Sequence, residues 1–293
     1  MQDVFNPIVK ECLRSNKGSY TIYVFGDAMH LRWAVLGKIA QHFKIDIVEI
    51  RDGDHLASLP SEGRRAFIKW SPRSRYVVPD EWKALLPPGT HIINDTGFDC
   101  DKTNVEKCFE SVAGYPLSVD PLTYEGPAAR KSIRNAAHDG RTVQCPVTTV
   151  EPDQVYERLI DNVYATKAGD EYVCDMRTPV IFAEVPFVYL KYRPVKNRFQ
   201  NKNAYARAVS KYEVFSYEEV ELIQAFAREI ELDYGEVDVL RDRRDGKIFI
   251  IDANNTPYGP PNHIDNADRS WAVRQLGQMV IEQFFAPSRS SMT

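Results

Sequence analysis

The stretch IFIIDANNTPYGPP (248–261) carries the densest chemistry in the sequence. An apolar run ends there in an acid, two asparagines and three prolines, with no helical pattern to receive it. Just upstream, GEVDVLRDRRDGKIFIID (235–252) reads as two strands around a turn at Asp245-Gly246, because a D-G pair between apolar runs is a strong hairpin signal. A turn centred on Asp245 sets Asp238 opposite Asp252. Strict alternation then puts Ile248, Ile250, Asp252 and Asn254 on one face. Opposed carboxylates repel unless a cation neutralises them. Two acids and an amide oxygen are hard donors, and Mg²⁺ takes one or two carboxylates and completes its octahedron with water and phosphate oxygens. The competing reading is a hairpin closed by an Asx turn, with both acids in water.

A second constellation is basic. In YLKYRPVKNRFQNK (189–202) alternation places Lys191 and Arg193 on one face, with Arg198 following. These three supply fixed positive charge that could line an anion-binding pocket. The same segment also reads as a solvated basic strand and loop, or as a nucleic-acid contact with Tyr and Phe interleaved. The net charge of −4 speaks against the nucleic-acid reading. In RNAAHDGR (134–141), His138 could shuttle a proton. The alternative is that HDG is an ordinary turn.

These residues need a scaffold, and the chain is long enough for two domains. YTIYVFG (20–26), a helical stretch over 28–44 and IDIVEI (45–50) make a parallel βαβ unit. RAFIKW and THIIND add strands, and 99–114 reads as a helix that Gly114 stops. The aperiodic, Pro-rich 115–127 marks a boundary, which gives an amino-terminal α/β domain over 1–120 and a second domain over 121–293. The second is richer in strands, with one clear helix over 216–232 capped by Ser216 and a closing helix over 268–285. The fold class is therefore α/β (α+β), a parallel domain followed by a mixed or antiparallel sheet. No apolar run approaches the ~18 residues of a membrane span. Five cysteines without C-x-x-C pairing argue for a reduced, cytoplasmic compartment and against zinc.

Taken together, these segments resemble the ATP-grasp superfamily. The match rests on Gly235, Asp238 and the apolar pair after it, then Asp252, Asn254 and Pro257. It also rests on the order of parts: Asp175-Met-Arg177, the basic stretch with Arg198, Phe199 and Asn201, the 216–232 helix and the hairpin. Within the superfamily the order is most similar to the ribosomal-protein-modifying glutamate ligases. The resemblance covers about residues 100–261 and implies an ATP- and magnesium-dependent ligase, with Mn²⁺ as a substitute metal, that joins a carboxylate to an amine through an acyl phosphate. It assigns Asp238, Asp252 and Asn254 to metal and Lys102, Lys131, His138, Glu157 and Arg177 to nucleotide. Arg177, Lys191, Arg193 and Arg198 go to catalysis. Small-molecule or peptide carboxylates and amines are the implied partners, with no membrane and no nucleic acid, and with a homodimer common for the family.

Three departures keep other readings open. The loop after Lys131 is poor in glycine, the central subdomain is abridged between Lys131 and Tyr156, and Asp252 stands where the family usually has Glu. The alternatives are an ATP-grasp kinase acting on a small molecule and a nucleotide-binding scaffold without turnover.

Overall fold

The computed structural model describes residues 7–14, 19–60, 62–71, 77–95, 99–134, 139–166, 169–200 and 202–285. Helix α1 (Pro7–Arg14) precedes β1 (Tyr20–Gly26), α2 (Ala28–Trp33), α3 (Val35–His42), β2 (Asp46–Glu49), α4 (Gly53–Ala57), β3 (Arg64–Trp70), α5 (Asp80–Lys83) and β4 (Ile92–Ile93). The four strands form a parallel sheet in the order β2-β1-β3-β4. The helix expected over 28–44 is two helices, which meet at Ala34 in an extended conformation. Gly37 explains the break. A Cβ there would lie 2.3 Å from the carbonyl oxygen of Arg32, so glycine alone lets the end of α2 pack this closely on α3.

Helix α6 (Lys102–Ala113) ends at Gly114 in a left-handed cap, as expected. Next, β5 (Gly126–Ser132), β6 (Arg141–Cys145) and β7 (Gln154–Arg158) make an antiparallel sheet in the order β6-β5-β7. The largest sheet is built from β8 (Val163–Ala165), β9 (Glu171–Ile181), β10 (Val188–Pro194), β11 (Tyr205–Val209), β12 (Tyr234–Arg241) and β13 (Ile248–Asn254). Its order is β11-β10-β9-β12-β13, with β8 on β9, and every pairing is antiparallel. Between β11 and β12 runs α7 (Tyr217–Glu229), where Ser216 and Glu219 form a capping box. The described chain closes with α8 (Asn266–Phe284). No helix among the described residues is long and apolar enough to cross a membrane.

Pairing decides which side chains share a face of the large sheet. Arg177 lies between Tyr189 and Asp238, and Asp175 lies beside Lys191. The face that carries these charges continues into Ile181, Phe187, Tyr189 and Tyr234. Those residues pack in one core with Val24, Leu36 and Phe43 of the amino-terminal half and with Leu276 and Val280 of α8. Met176, Val180, Val237 and Val239 take the opposite face and pack with Val105 and Phe109 of α6 and Ile223 and Phe226 of α7. Burial on both faces holds the sheet rigid, and one end of one face is left to polar chemistry.

Candidate functional site

The open end of the hairpin builds the acidic half of the site. Asp238 and Asp252 stand directly opposite each other on β12 and β13, as expected, although the register beside the turn, with Arg241 on Ile248, would by itself set Asp238 against Ile251. The ladder then slips: Val239 pairs with Ile250, which leaves Ile251 as the extra residue of a bulge. The bulge corrects the strict alternation expected for β13. Ile248 and Ile250 pair with Arg241 and Val239 and so lie on the side away from Asp252. Ile251 joins Asp252 in lining the cavity. Gly235 matters at the same end, because a Cβ there would lie 2.4 Å from the carbonyl oxygen of Asn254.

A cavity of about 190 Å³ opens between the three-stranded sheet and the large sheet. Every basic residue proposed from the sequence lines it: Lys102, Lys131, Arg177, Lys191, Arg193 and Arg198. Glu157, Asp238 and Asp252 line it as well. Ala129, Ile160, Leu240 and Ile251 give it an apolar wall.

Each acid is held by a cation. Arg177 donates from Nε to Asp238 Oδ1 at 3.0 Å and from Nη2 to Oδ2 at 2.9 Å. Lys191 Nζ adds a 3.0 Å bond to Oδ1. Burial alone would raise the Asp238 pKa, but Arg177 and Lys191 hold it well below the usual carboxylate range. Burial also opposes the charge of Arg177, and Asp238 and Glu236 outweigh it, so the guanidinium is held protonated more firmly than usual. For Lys191, burial and then the neighbouring Arg177 prevail, and its pKa is lowered. Lys102, the first residue of α6, donates to Asp252 Oδ1 at 2.5 Å. Burial disfavours the Lys102 charge, and Asp252 more than offsets it.

The other end of the cavity is organised alike. Lys131 on β5 is paired with Glu157 on β7, whose side chain is 2% exposed. Arg193 is paired with Asp175. Arg198 Nη2 donates to Asn162 Oδ1 at 3.0 Å and to the Ile160 carbonyl at 3.3 Å. Burial lowers the pKa of both arginines. Asn254 is turned to its own loop, where its Oδ1 accepts from Thr256 N at 3.0 Å and from Thr256 Oγ1 at 3.3 Å. His138 lies outside the described residues, as does Asn201 of the basic motif.

Among the described residues no three His, Cys, Asp or Glu side chains form a metal-holding group. The opposed pair Asp238 and Asp252 nevertheless fits a magnesium ion shared with phosphate, which requires only one or two carboxylates from the protein. The cations now on these acids match the same ligand, because lysine and arginine are the residues that hold phosphate oxygens.

The sequence matches no family model and no curated protein. Solved structures do match. The ATP-grasp ligase PsnB, complexed with a phosphomimetic variant of its minimal precursor, Mg and ADP, superposes with a TM-score of 0.53 at 15% identity, covering 90% of this chain and 99% of that one. D-alanine–D-alanine ligase from Bacillus anthracis, complexed with ATP, gives 0.52 at 11% identity, with 92% and 97% covered. This chain has the ATP-grasp fold. A third match, L-amino acid ligase from Bacillus licheniformis, gives 0.51 at 12% identity, with 95% and 77% covered.

Two acids beside the residues that line this cavity were not singled out from the sequence. Glu236 is two residues before Asp238 and so shares its face of β12; period-two counting would have found it. Its side chain is 3% exposed, and burial pushes its pKa up to about 7. Glu106 follows Lys102 by one helical turn, and burial, then Glu157, pushes it up to about 8.

Proposed function

We propose that this chain is an ATP- and Mg²⁺-dependent ligase that joins a carboxylate to an amine through an acyl phosphate. Its residues 1–120 and 121–293 would act as two domains on either side of the acceptor site. The observation that carries the reading is the concentration of six cations and two opposed acids in one cleft between two antiparallel sheets of an ATP-grasp fold. PsnB was solved with Mg and ADP and the D-alanine ligase with ATP, and both superpose over at least 90% of this chain.

In this scheme the apolar wall of Ala129, Ile160, Leu240 and Ile251 takes the base. Lys102 and Lys131 hold phosphate oxygens, and Glu157 orients Lys131. Asp238 and Asp252 hold the magnesium, with Asn254 joining them if it leaves Thr256. When bound, the metal would supply charge neutralisation to the nucleotide phosphates. A substrate carboxylate attacks the γ-phosphorus, the bond to the bridging β-γ oxygen breaks and ADP leaves. Arg177, Lys191, Arg193 and Arg198 stabilise the charge spread over the transferring group. The amine then attacks the acyl carbon, the C–O bond breaks, inorganic phosphate leaves and the amine proton passes to solvent. Peptides as well as small molecules are candidate substrates, since PsnB was solved with a precursor.

Nucleotide turnover against panels of carboxylates and amines tests this. A ligase releases ADP and free phosphate only when both partners are present. ADP with a phosphorylated product would instead identify a kinase, and tight ATP binding with no turnover would identify a scaffold.

A further inference from the structure

Asp238 is crowded with cations. Arg177 occupies both of its oxygens, and Lys191 shares one of them. A carboxylate offers about four acceptor sites, so a divalent ion at Asp238 must compete with two fixed positive charges. A buried guanidinium moved off its partner is costly unless a second anion receives it.

That second anion is present. The edge of Arg177 formed by Nε and Nη2 faces Asp238, and Nη1 lies 3.5 Å from Glu236 Oε2. This oxygen is buried and accepts no hydrogen bond among the described residues. Opposite Glu236 across the ladder are Asn254 and Pro179. The hydroxyls of Tyr189 and Tyr234, whose charge environment Glu236 shapes, are likewise buried without a hydrogen-bond partner. A carboxylate left with a free buried oxygen is a poor structural residue, because glutamine or an apolar side chain would fill the space at lower cost.

We infer that Glu236 is a positioning residue for Arg177: its free oxygen receives the guanidinium when Asp238 engages a divalent cation. Arg177 then stays beside the transferring phosphoryl group without blocking the metal. The inference rests on the reading of Asp238 as a magnesium ligand. Glu236 touches neither metal nor nucleotide in this scheme and acts only through Arg177.

The test is the Mg²⁺ dependence of binding of a fluorescent ADP analogue to the full chain, for wild type, Glu236→Gln, Arg177→Met and the double variant. Arg177→Lys replaces Arg177→Met if the latter does not fold. Without Mg²⁺, Glu236→Gln should bind the analogue as wild type does. The Mg²⁺ concentration giving half of the tightening should rise roughly 10–100-fold, the usual effect of losing a residue that orients a metal site from outside its ligand shell. In the Arg177 variant background Glu236→Gln should add nothing. Thermal unfolding of Glu236→Gln at or above the wild-type midpoint would separate positioning from loss of fold. Unchanged Mg²⁺ dependence in Glu236→Gln, equal weakening with and without Mg²⁺, or additivity in the double variant would each overturn the inference while leaving the proposed function standing. A wild-type chain that binds the analogue without any Mg²⁺ effect would overturn both.

Discussion

Lys131 and Glu157 show how one residue can serve both fold and chemistry. Glu157 is almost wholly enclosed, its Oε1 has no hydrogen-bond partner among the described residues, and Lys131 is its ion-pair partner across β5 and β7. Lys131→Met should therefore cost ~3–5 kcal/mol of stability, because it leaves a buried charge uncompensated. Lys131→Met combined with Glu157→Gln should recover most of that stability and still bind nucleotide weakly. Urea unfolding and nucleotide titration of the single and double variants separate the two effects. Wild-type nucleotide affinity in the double variant would remove Lys131 from the phosphate site. At this scale the sequence was legible where a local rule applied. Asp245-Gly246 marked the turn, but the register beside it would set Asp238 against Ile251, and only the bulge at Ile251 brings Asp238 opposite Asp252. The sequence was silent on which cation holds which acid. Lys102 and Asp252 are 150 positions apart, and no local periodicity encodes such a contact.

At the scale of elements, the strands and helices that follow a period were readable, and the exceptions have local causes. Gly37 divides one expected helix into two, and the bulge at Ile251 reverses the expected facing of Ile248 and Ile250. Strands β6 and β11 lack a continuous apolar run and β8 is only three residues long, so pairing with neighbours creates them more than propensity does. Helix α7 has the opposite character, with a cap written into its first residues. Ser216 Oγ accepts from Glu219 N at 3.2 Å, and Glu219 Oε2 accepts from Ser216 N at 2.9 Å. Glu219 also grips Arg241 of β12 at 2.5 and 2.7 Å, and Arg241 in turn donates to the Val214 and Gly246 carbonyls. Glu219 thereby ties the helix start to the hairpin that carries the opposed acids Asp238 and Asp252. Ser216→Ala should cost about 1 kcal/mol. Glu219→Ala should cost about 2–3 kcal/mol, because a cap and a charge-assisted bidentate pair go together. Chemical unfolding decides this, and equal losses for the two variants would show that the Arg241 pairing contributes nothing.

Across the whole molecule, the parallel sheet and the large antiparallel sheet are joined by a small polar clasp as well as by the shared apolar core. Asn94, fully buried with a φ of 61°, donates from Nδ2 to the Tyr234 carbonyl at 2.7 Å. Its Oδ1 accepts from the backbone N–H groups of Asp233 and Tyr234, at 3.0 Å each. The Asp233 carboxylate closes the clasp by accepting from Asn94 N and by pairing with His91, both at 2.9 Å. The hydrogen bond to Asp233 raises the His91 pKa above its ordinary value of 6.5, against a smaller opposing effect of burial. For a histidine whose folded pKa is raised, the stabilisation is fully present below pH 6.5 and is lost as pH rises through the folded value. His91→Asn should therefore lower the thermal midpoint in mild acid and converge on wild type in alkali. The gap corresponds to only about 0.5–1 kcal/mol and shrinks with salt, because the imidazole is more than half exposed. Asn94→Ala should behave differently. It strips partners from buried backbone groups and should cost about 3 kcal/mol or more at every pH. Thermal unfolding of the three proteins across the neutral range distinguishes the two contributions. A His91→Asn deficit that persists unchanged into alkali would mean that His91 serves the clasp by packing rather than by charge.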